Sequence, residues 1–396
     1  MRGALVPSIW PHDQALYAPP RYRRACGYDA FVPDLLDTLP PIAPELAGTI
    51  SAAEDAIRQL NAVAQPALQP LARLLLRTES IASSKVEGMQ MDVRTLARAE
   101  ARSDVGHAIG KEAAEILANI DAMQLAVEET AVAESLDRAH ILGIHRVLLA
   151  GAANAERTAG VIRTSQNWIG GNDYNPCGAA FVPPPAAEVE RLLDDLVQFC
   201  NDESLPPLVQ AGFAHAQFET IHPFVDGNGR TGRALVQVIL RRRRIAADYV
   251  PPISIVLAAD KGRYIEGLVA FREGRESDWL EPFAIAAARA AELAASYLVQ
   301  VQQLQAEWRE RLRGIVKRED AAAWLLINEL PGHPIISTAI GVALTQRTKP
   351  RIQQAIDQLV EAGVLLPLSG AKRNRQWEAA GLLDLLTDLE AAHPRR

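Results

Sequence analysis

A short run rich in glycine and arginine separates two apolar helical patterns and constrains the fold more than any other segment. Residues 208–218 and 234–240 carry apolar side chains at helical spacing, and residues 221–233 between them read IHPFVDGNGRTGR. Gly227 and Gly229 allow backbone conformations that other residues avoid, and they directly precede a helix whose first amide groups have no partner within it. Two helices joined by an anion-binding loop are therefore predicted here.

The charged residues of this loop indicate a nucleotide site. Arg230 and Arg233 are three residues apart, so both guanidinium groups leave the same face of the first helical turn. Cations are unfavourable beside the positive end of a helix, and a bound polyphosphate explains their presence. Asp226 is suited to hold a divalent cation between phosphates, and His222 to remove a proton from a hydroxyl. Alone, a His before Pro ends a helix and Asp-Gly-Asn-Gly forms a turn, but their combination favours an active site.

The composition is that of a folded protein without bulk attraction to nucleic acid or anionic membranes. The 396 residues are enough for two or three domains, and 48% apolar and 22% charged residues exclude disordered, collagen-like and disulfide-scaffold classes. Aromatic residues make up only 5%, which argues against a β-rich fold, and the net charge is −7.

The cysteines and the apolar segments bear on the cellular compartment. Cys26, Cys177 and Cys200 form no Cys-x-x-Cys pair, which suggests neither a disulfide framework nor a cysteine zinc site and fits a reducing compartment. We find no secretory signal and no apolar run of membrane-spanning length. A cytoplasmic protein without a membrane partner is predicted.

Changes in composition divide the chain into four regions. Residues 1–45 are rich in proline, which predicts an extended arm, and residues 46–130 have helical spacing. Residues 131–300 form a helical core, interrupted at residues 157–185 by Gly, Asn and Pro around two strand-like runs, which predicts a β-hairpin. Residues 317–396 carry three helical patterns and a basic hairpin, the outline of a winged helix-turn-helix. The predicted fold class is mainly α.

The run HPFVDGNGRTGR resembles the signature of Fic-domain (Fido) proteins at every fixed position. Flanking segments, AHAQFETIHPF, SQNWIGG, FVPPP and RYIEGLVAFREG, are also similar to the family, and the resemblance covers roughly residues 45–300. It implies a helical Fic core with a β-hairpin flap. It also implies a protein adenylyltransferase that transfers AMP from ATP to a Ser, Thr or Tyr hydroxyl of a target protein and releases pyrophosphate.

The resemblance implies a role for each residue of the signature. His222 is the catalytic residue that deprotonates the target hydroxyl, and Asp226 binds Mg²⁺. Tyr264 matches a position that lines the nucleotide base pocket, although a tyrosine on an amphipathic helix is almost as well explained as core. The ATP phosphates are bound by Gly227, Asn228, Gly229, Arg230 and Arg233.

The predicted hairpin gains a role as a target-docking flap. An exposed strand edge pairs with an extended target segment through main-chain hydrogen bonds. The alternative is that the hairpin simply packs Trp168 into the core. The candidate edge consists of Gln166, Asn167, Trp168 and Ile169.

An earlier segment resembles the inhibitory motif of the family and predicts a built-in brake. Helical spacing places Ser83 and Glu87 on one face, and Gly88 is suited to end the helix. By resemblance, Glu87 pairs with Arg233 and occupies donors that the γ-phosphate of ATP needs, which makes the chain a class II Fic protein. The alternative is a solvated glutamate on a surface helix.

Basic residues of the C-terminal region are candidates for contact with DNA, but winged helices also dock proteins, and the rest of this region has several acidic residues. Five residues near the start of the third helix occupy the recognition position: Thr345, Gln346, Arg347, Lys349 and Arg351. Three more would lie on the wing: Lys372, Arg373 and Arg375.

The sequence leaves three functional hypotheses. The first is an autoinhibited, ATP-dependent protein adenylyltransferase whose partner is a target protein or the chain itself. The second is a DNA-binding regulator that only senses a nucleotide, and the third is a Fic enzyme with another donor, such as UTP or CDP-choline. His222 and Asp226 favour an enzyme, because a sensor needs no base. A homodimer is a further expectation, drawn from the family.

Overall fold

The computed structural model describes residues 2–36, 43–62, 69–103, 106–318, 321–368 and 375–391, and most of them are helical, as the sequence predicts. They divide into two units. The first unit comprises Met1–Glu54, Asp121–Ile245 and Asp260–Ile285, and the second comprises Asp55–Ile120, Ala246–Ala259 and Ala286–Arg396.

The helices and strands follow one another in this order. The first half of the chain contains β1 (Gly3–Trp10), β2 (Cys26–Pro33), α1 (Pro44–Ala62), α2 (Gln69–Val86), α3 (Val93–Ser103), α4 (Lys111–Glu128), α5 (Arg138–Leu148), α6 (Ala155–Thr158) and α7 (Ala186–Asn201). The second half contains α8 (Pro207–Ile221), α9 (Asn228–Arg242), α10 (Ile253–Ala259), α11 (Lys261–Arg272), α12 (Glu276–Arg313), α13 (Ala322–Glu329), β3 (Ile335–Ser337), α14 (Thr338–Thr345), α15 (Lys349–Glu361), β4 (Leu365–Pro367), β5 (Gln376–Ala379) and α16 (Leu382–Glu390).

Helix α8 forms the centre of the first unit. Every residue from Leu208 to Ile221 is buried, and α7, α9, α11 and β2 pack around the helix. Close packing requires small residues here: a Cβ on Gly212 would lie 2.9 Å from a Leu280 methyl group. The indole of Trp279 donates to the carbonyl of Gly212 at 2.9 Å, which ties α12 to α8. The helix–loop–helix arrangement predicted around residues 221–233 is confirmed by the end of α8 and the start of α9.

The proline-rich arm contains an antiparallel hairpin of β1 and β2, in which Gly3 pairs with Pro33 and Trp10 with Cys26. Cys26 forms a disulfide with Cys177 across a sequence separation of 151 residues. The sequence analysis suggested no disulfide framework, and this expectation is wrong for Cys26 and Cys177. Spacing along the chain could not reveal this pair, because only packing brings the two Cα atoms to 6.2 Å.

Residues 157–185 contain less strand than the sequence predicts. One antiparallel bridge joins Ile169 to Phe181, and the described residues around it form turns and extended loop. Gly170, Gly171 and Gly178 all have positive φ angles, which interrupts a ladder on the loop side of the bridge. Of the predicted β-hairpin flap, the described backbone contains only this bridge.

The second unit combines α2, α3 and α10 with the C-terminal elements. Helix α2 packs on α10, and buried Glu79 accepts hydrogen bonds from the amide of Ser254 at 2.9 Å and from its hydroxyl at 2.6 Å. Helices α13, α14 and α15 pack together beside a three-stranded sheet of order β3-β5-β4. Helix α16 contacts α2 and α3.

Helix α12 is long and apolar enough to cross a membrane by length and composition, which the sequence analysis did not anticipate. Its most apolar window has a mean hydropathy of 1.2, and 56% of that window is buried inside the protein. Core helices have this property too, and Trp279, Phe283 and Trp308 of this helix are almost fully buried.

Candidate active site

His222 lies at the end of the buried helix α8 in a left-handed backbone conformation, with φ 49° and ψ 60°. Its amide donates to the carbonyl of Phe218 at 2.9 Å and closes the last helical turn. The His222 side chain is 18% exposed, and its Nδ1 lies 3.9 Å from a carboxylate oxygen of Glu219. The imidazole is therefore held at the wall of the site while remaining accessible to a substrate.

The backbone that follows forms the predicted anion cradle. Gly227 has φ 78° and precedes α9, which begins at Asn228. The amide of Thr231 makes the first intrahelical bond of α9, to the Gly227 carbonyl at 3.1 Å. The amides of residues 228–230 consequently have no partner within the helix, and they sit at its positive end. This is the arrangement that binds phosphate groups.

Asn228 contributes to the cradle differently from the sequence prediction. Its side-chain oxygen accepts from the amide of Phe224 at 2.9 Å, and its side-chain nitrogen donates to the Phe224 carbonyl at 2.9 Å. The Asn228 side chain therefore closes the loop on itself, and its main-chain amide is the group that faces an anion.

Arg230 supplies a buried cation beside the cradle. It is 4% exposed, and its Nη2 lies 3.5 Å from Oδ1 of Asp226. Its Nε and Nη1 have no hydrogen-bond partner among the described residues. Buried guanidinium groups ordinarily have anionic partners, so these two donors fit a bound phosphate. Arg233, one turn further along α9, is also buried.

His145 supports the cradle from α5, and the sequence analysis did not identify it. Its Nδ1 accepts from the amide of Gly160 at 3.0 Å, so Nε2 carries the proton and donates to the Asp226 carbonyl at 2.9 Å. The ring stacks on Phe224 with 3.6 Å between centroids. Burial lowers the pKa of His145 to about 4, although the bond to Asp226 opposes this. A lone histidine on an amphipathic helix gave no signal of this role.

The four residues of the proposed docking edge mostly face the protein rather than a target. Asn167 donates through Nδ2 to the carbonyls of His222 at 3.2 Å and Phe224 at 2.9 Å, and Gln166 donates to the Pro183 carbonyl at 2.8 Å. The Trp168 indole donates to the Asn172 carbonyl at 2.6 Å. Only Ile169 is exposed, at 40%.

Buried Arg163 is a second residue that the sequence analysis missed. It also donates to the His222 carbonyl, at 2.9 Å. A single arginine within the strand-like run GVIRTS was the available signal, because an inward-facing cation in such a run needs a buried acceptor.

Tyr264 lies on α11, only 6% exposed, and its hydroxyl is 2.9 Å from Nε2 of His215 on α8. The two rings are stacked, and Trp279 lies beside both. These contacts favour the core alternative that the sequence left open for Tyr264.

The inhibitory motif belongs to the second unit. Ser83 is fully buried on α2, and Glu87 directly follows the last helical residue, Val86. Gly88 has φ 94° and ends the helix, as its sequence position suggests. The helix end is anchored within this unit by Lys85, whose Nζ lies 2.6 Å from a carboxylate oxygen of Glu390 on α16.

The basic residues of the C-terminal region are only partly described. Lys349 and Arg351 lie on the first turn of α15 and are exposed, as is Arg347 just before it. Thr345 ends α14, and Gln346 adopts a left-handed conformation with φ 55°. On the predicted wing, Arg375 lies over the Trp377 ring at 5.2 Å. Lys372 and Arg373 fall outside the described residues.

Among the described residues, no group of three or more His, Cys, Asp or Glu side chains could hold a metal ion by itself. Asp226 is compatible with Mg²⁺ in another way, because this ion is commonly bound by one or two carboxylates together with substrate phosphates. The Asp226 side chain is 73% exposed at the mouth of the cradle.

Two regions of the chain match models of known families. Residues 135–240 match the Fic/DOC family, and residues 48–128 match the N-terminal region of that family. The chain thus carries a Fic/DOC domain. The Fic/DOC match includes α8, the loop after it and α9 as far as residue 240, and the N-terminal match includes α2 and the following Glu87.

Curated proteins of similar sequence are named as protein adenylyltransferases. The chain is 39% identical over 105 residues to protein adenylyltransferase fic-1 of Caenorhabditis elegans, which is 26% of this chain and 18% of that relative. It is 34% identical over 137 residues to protein adenylyltransferase Fic of Drosophila persimilis, 34% of this chain and 24% of that relative. The match thus spans only about a fifth of the length of these curated relatives.

Solved structures show the same fold. A Fic family protein from Desulfovibrio desulfuricans has a TM-score of 0.53 at 20% identity and covers 86% of this chain and 98% of its own. A Fic domain containing signaling protein from Bacteroides thetaiotaomicron has a TM-score of 0.50 at 21% identity and covers 62% of this chain and 95% of its own.

Proposed function

We propose that this chain is an ATP-dependent protein adenylyltransferase that transfers AMP to a Ser, Thr or Tyr hydroxyl of a target protein and releases pyrophosphate. The observation that carries the proposal is the meeting of an imidazole and an anion cradle within one loop. His222 ends α8, three amides without an intrahelical partner begin α9, and buried Arg230 has two donors without a partner among the described residues. An accessible base beside a phosphate site suits attack of a hydroxyl on a nucleotide.

Each residue has a distinct task in this reaction. His222 accepts the proton of the target hydroxyl as the oxygen attacks the α-phosphate. The amides of residues 228–230 bind phosphate oxygens, whereas the amide of Gly227 donates to a carboxylate oxygen of Asp226 at 2.6 Å. Arg230 and Arg233 neutralise charge on the phosphates. Asp226 would hold Mg²⁺, which supplies charge neutralisation to the phosphates when it is bound.

We further propose that Glu87 acts as a brake on this site. The proposal is supported by the match of residues 48–128 to the family's N-terminal region and by the fixed end of α2 at Gly88. A glutamate that pairs with Arg233 removes donors from the γ-phosphate, and ATP then binds in a pose unsuited to transfer.

Labelling with ATP that is radioactive at the α-phosphate tests both proposals. Wild type, Glu87→Gly and His222→Ala are incubated with Mg²⁺, and the label and intact mass of the protein are measured. We expect an AMP-sized mass increase on Glu87→Gly, far less on wild type and none on a Glu87→Gly, His222→Ala double variant. Exposed His107 and Glu203 provide matched controls, His107→Ala and Glu203→Gly.

The outcomes separate the hypotheses. Equal labelling of wild type and Glu87→Gly contradicts the brake and leaves the transferase. No label on any variant contradicts ATP as AMP donor, and the same assay with UTP or CDP-choline then tests the other donors. Nucleotide binding without labelling by any donor favours a sensor.

A second candidate function is DNA contact through the C-terminal region, and one observation favours it. Arg347, Lys349 and Arg351 are exposed together at the start of α15, and none forms an ion pair with a described carboxylate. A cleft of ≈ 410 Å³ beside them is lined by Arg347, Arg351, Lys317 and Arg318. The order helix, strand, two helices and two strands is similar to that of a winged helix-turn-helix, which supports α15 as the proposed recognition helix.

Binding to labelled duplex DNA at several salt concentrations tests this candidate. We expect Arg351→Gln to weaken binding to all sequences and to lower the salt dependence by about one ion per lost phosphate contact. Arg191→Gln, a change of an exposed arginine on α7, serves as the control. Unchanged salt dependence of DNA binding for Arg351→Gln would favour protein docking instead.

The expected homodimer is tested separately, by light scattering of the same samples.

A further inference from the structure

The backbone conformation of His222 requires an external support. Its φ of 49° places a residue with a Cβ in the left-handed region, where only His222, Arg244 and Gln346 are found among the described non-glycine residues. Such a conformation is unfavourable for a residue with a Cβ and persists only when surrounding contacts hold it. The direction of the imidazole depends on this angle, since the Cα–Cβ bond turns with the backbone.

Arg163 contacts the backbone on both sides of His222 through Nε and Nη2 of its guanidinium group, while Nη1 donates to the Ser165 carbonyl at 3.1 Å. Nε donates to the His222 carbonyl at 2.9 Å, and Nη2 donates to the Ile221 carbonyl at 3.3 Å and the Pro184 carbonyl at 2.6 Å. Its own amide donates to the Pro223 carbonyl at 2.9 Å. One buried side chain therefore fixes consecutive peptide groups on both sides of His222.

The surroundings of Arg163 are unusual for a buried cation. The residue is 3% exposed and forms no ion pair with a described carboxylate. Burial lowers the pKa of the guanidinium to about 10, which leaves it charged at neutral pH. The carbonyl groups at the end of α8 stabilise the buried charge of Arg163, because they lack intrahelical partners and carry the negative end of the helix dipole.

Asn167 completes the support from the same loop. Its Nδ2 shares the His222 carbonyl with Arg163, at 3.2 Å, and also reaches the Phe224 carbonyl at 2.9 Å. The phosphate side of the loop is held separately, by His145 and by the Asn228 side chain. The two ends of the signature thus have different supports, which meet at the Phe224 carbonyl, where both Asn167 and Asn228 donate.

We propose that Arg163 is a positioning residue, which fixes the left-handed backbone of His222 and so directs its imidazole at the target hydroxyl. Lysine cannot replace it fully, because an ammonium group lacks the planar fork that reaches several carbonyls at once. The catalytic part of this inference rests on the proposed adenylyltransferase activity, whereas the conformational part does not.

Kinetics of Arg163→Lys, Arg163→Gln and Asn167→Ala in the Glu87→Gly background test the catalytic part. We expect kcat to fall by about 100-fold for Arg163→Gln, because a misplacement of about 1 Å has that effect on catalysis, while KM for ATP stays within about threefold. Arg163→Lys should recover part of the loss. Arg191→Gln should retain full activity, because exposed Arg191 pairs only with Glu188 on α7 among the described residues.

A spectroscopic measurement tests the conformational part without any activity. Histidine-selective ¹³C and ¹⁵N labelling gives signals from the eight histidines, and His222→Ala assigns the signal of His222. We expect the backbone ¹³C shifts of His222 to move away from left-handed values in Arg163→Gln, and less in Arg163→Lys. The signals of the other histidines should stay in place.

The outcomes are distinct. Unchanged kcat and unchanged His222 shifts in both Arg163 variants overturn the proposal. Parallel losses of kcat, ATP affinity and melting temperature overturn it as well, because they indicate general support of folding. If no variant transfers AMP but the His222 shifts move as expected, the proposed function fails and the positioning role stands.

Discussion

The buried imidazole of His145 makes the stability of the first unit depend on pH. Lowering the pH from about 7 to about 4 protonates histidines in the unfolded chain, where their pKa is about 6.5. In the folded protein, burial lowers the pKa of His145 to about 4, and the nearby charge of Arg230 acts in the same direction, while Asp226 opposes it. Protonation would also place an N–H on Nδ1, which now accepts from the Gly160 amide.

The size and sign of the effect follow from the two pKa values. Since the folded pKa is below the unfolded one, the unfolded chain binds more protons between these values, and the free energy of unfolding falls as pH drops. The difference between the ordinary histidine pKa of 6.5 and the folded pKa of about 4 corresponds to about 3 kcal/mol, at about 1.4 kcal/mol per pKa unit. This is a large part of the free energy of unfolding of a typical domain, which is roughly 5 to 15 kcal/mol.

Urea unfolding followed by tryptophan fluorescence at a series of pH values measures this effect. His145→Gln is the matched variant, because a glutamine retains a donor and an acceptor but does not titrate. Burial also lowers the pKa of His333 in the second unit, and this contribution cancels in the difference between wild type and variant. We expect the two curves to converge by about 3 kcal/mol between pH about 7 and pH about 4.

Parallel pH curves for wild type and His145→Gln would refute this reasoning. Hydrogen exchange of a peptide that contains residues 157–163 gives a local check. The Gly160 amide, which donates to His145 at 3.0 Å, should lose protection in acid before distant amides of the first unit do.

Three further predictions follow from single contacts. Gly227→Ala should lower the free energy of unfolding by about 1 to 3 kcal/mol and reduce AMP labelling, because φ is 78° and a Cβ would lie 3.0 Å from a leucine methyl group; denaturant titration measures it, and an unchanged midpoint contradicts it. Cys26→Ser should lower the free energy of unfolding by about 2 to 4 kcal/mol under oxidising conditions and leave it unchanged under reducing ones, since the bond to Cys177 constrains a long loop. Equal unfolding midpoints for wild type and variant under both conditions would disprove this. Glu79→Gln should cost about 1 to 3 kcal/mol by weakening the bonds from Ser254, with Glu203→Gln as the neutral control in thermal unfolding.

The state of the cysteines also bears on the cellular compartment. A cytoplasmic location is a proposal from the sequence, and it predicts that Cys26 and Cys177 are reduced in the cell, in spite of their pairing in the structure. Burial raises the pKa of Cys200 to about 12 and makes that thiol unreactive. Thiol labelling in intact cells distinguishes the two states.

The helical elements were largely predictable, whereas the loop segments were not. Apolar spacing and the glycines located the end of α8 and the start of α9, and the order of elements from α13 to β5 follows the predicted pattern. Residues 157–185 form less strand than predicted, because polar side chains of this segment donate hydrogen bonds to loop carbonyls. The hairpin of β1 and β2 appeared in a segment whose prolines indicated only extended chain.

The candidate site divides in the same way. The sequence by itself determined the groups that act, since His222, Asp226, the glycines and Arg230 lie within one short run, where the geometry of a turn and a first helical turn fixes their spacing. Only the tertiary structure decided what holds them. Arg163 reaches the His222 carbonyl from 59 residues away, and His145 reaches the Asp226 carbonyl from 81. Neighbours along a helix follow from its repeat, whereas partners this far apart are set by how the helices pack.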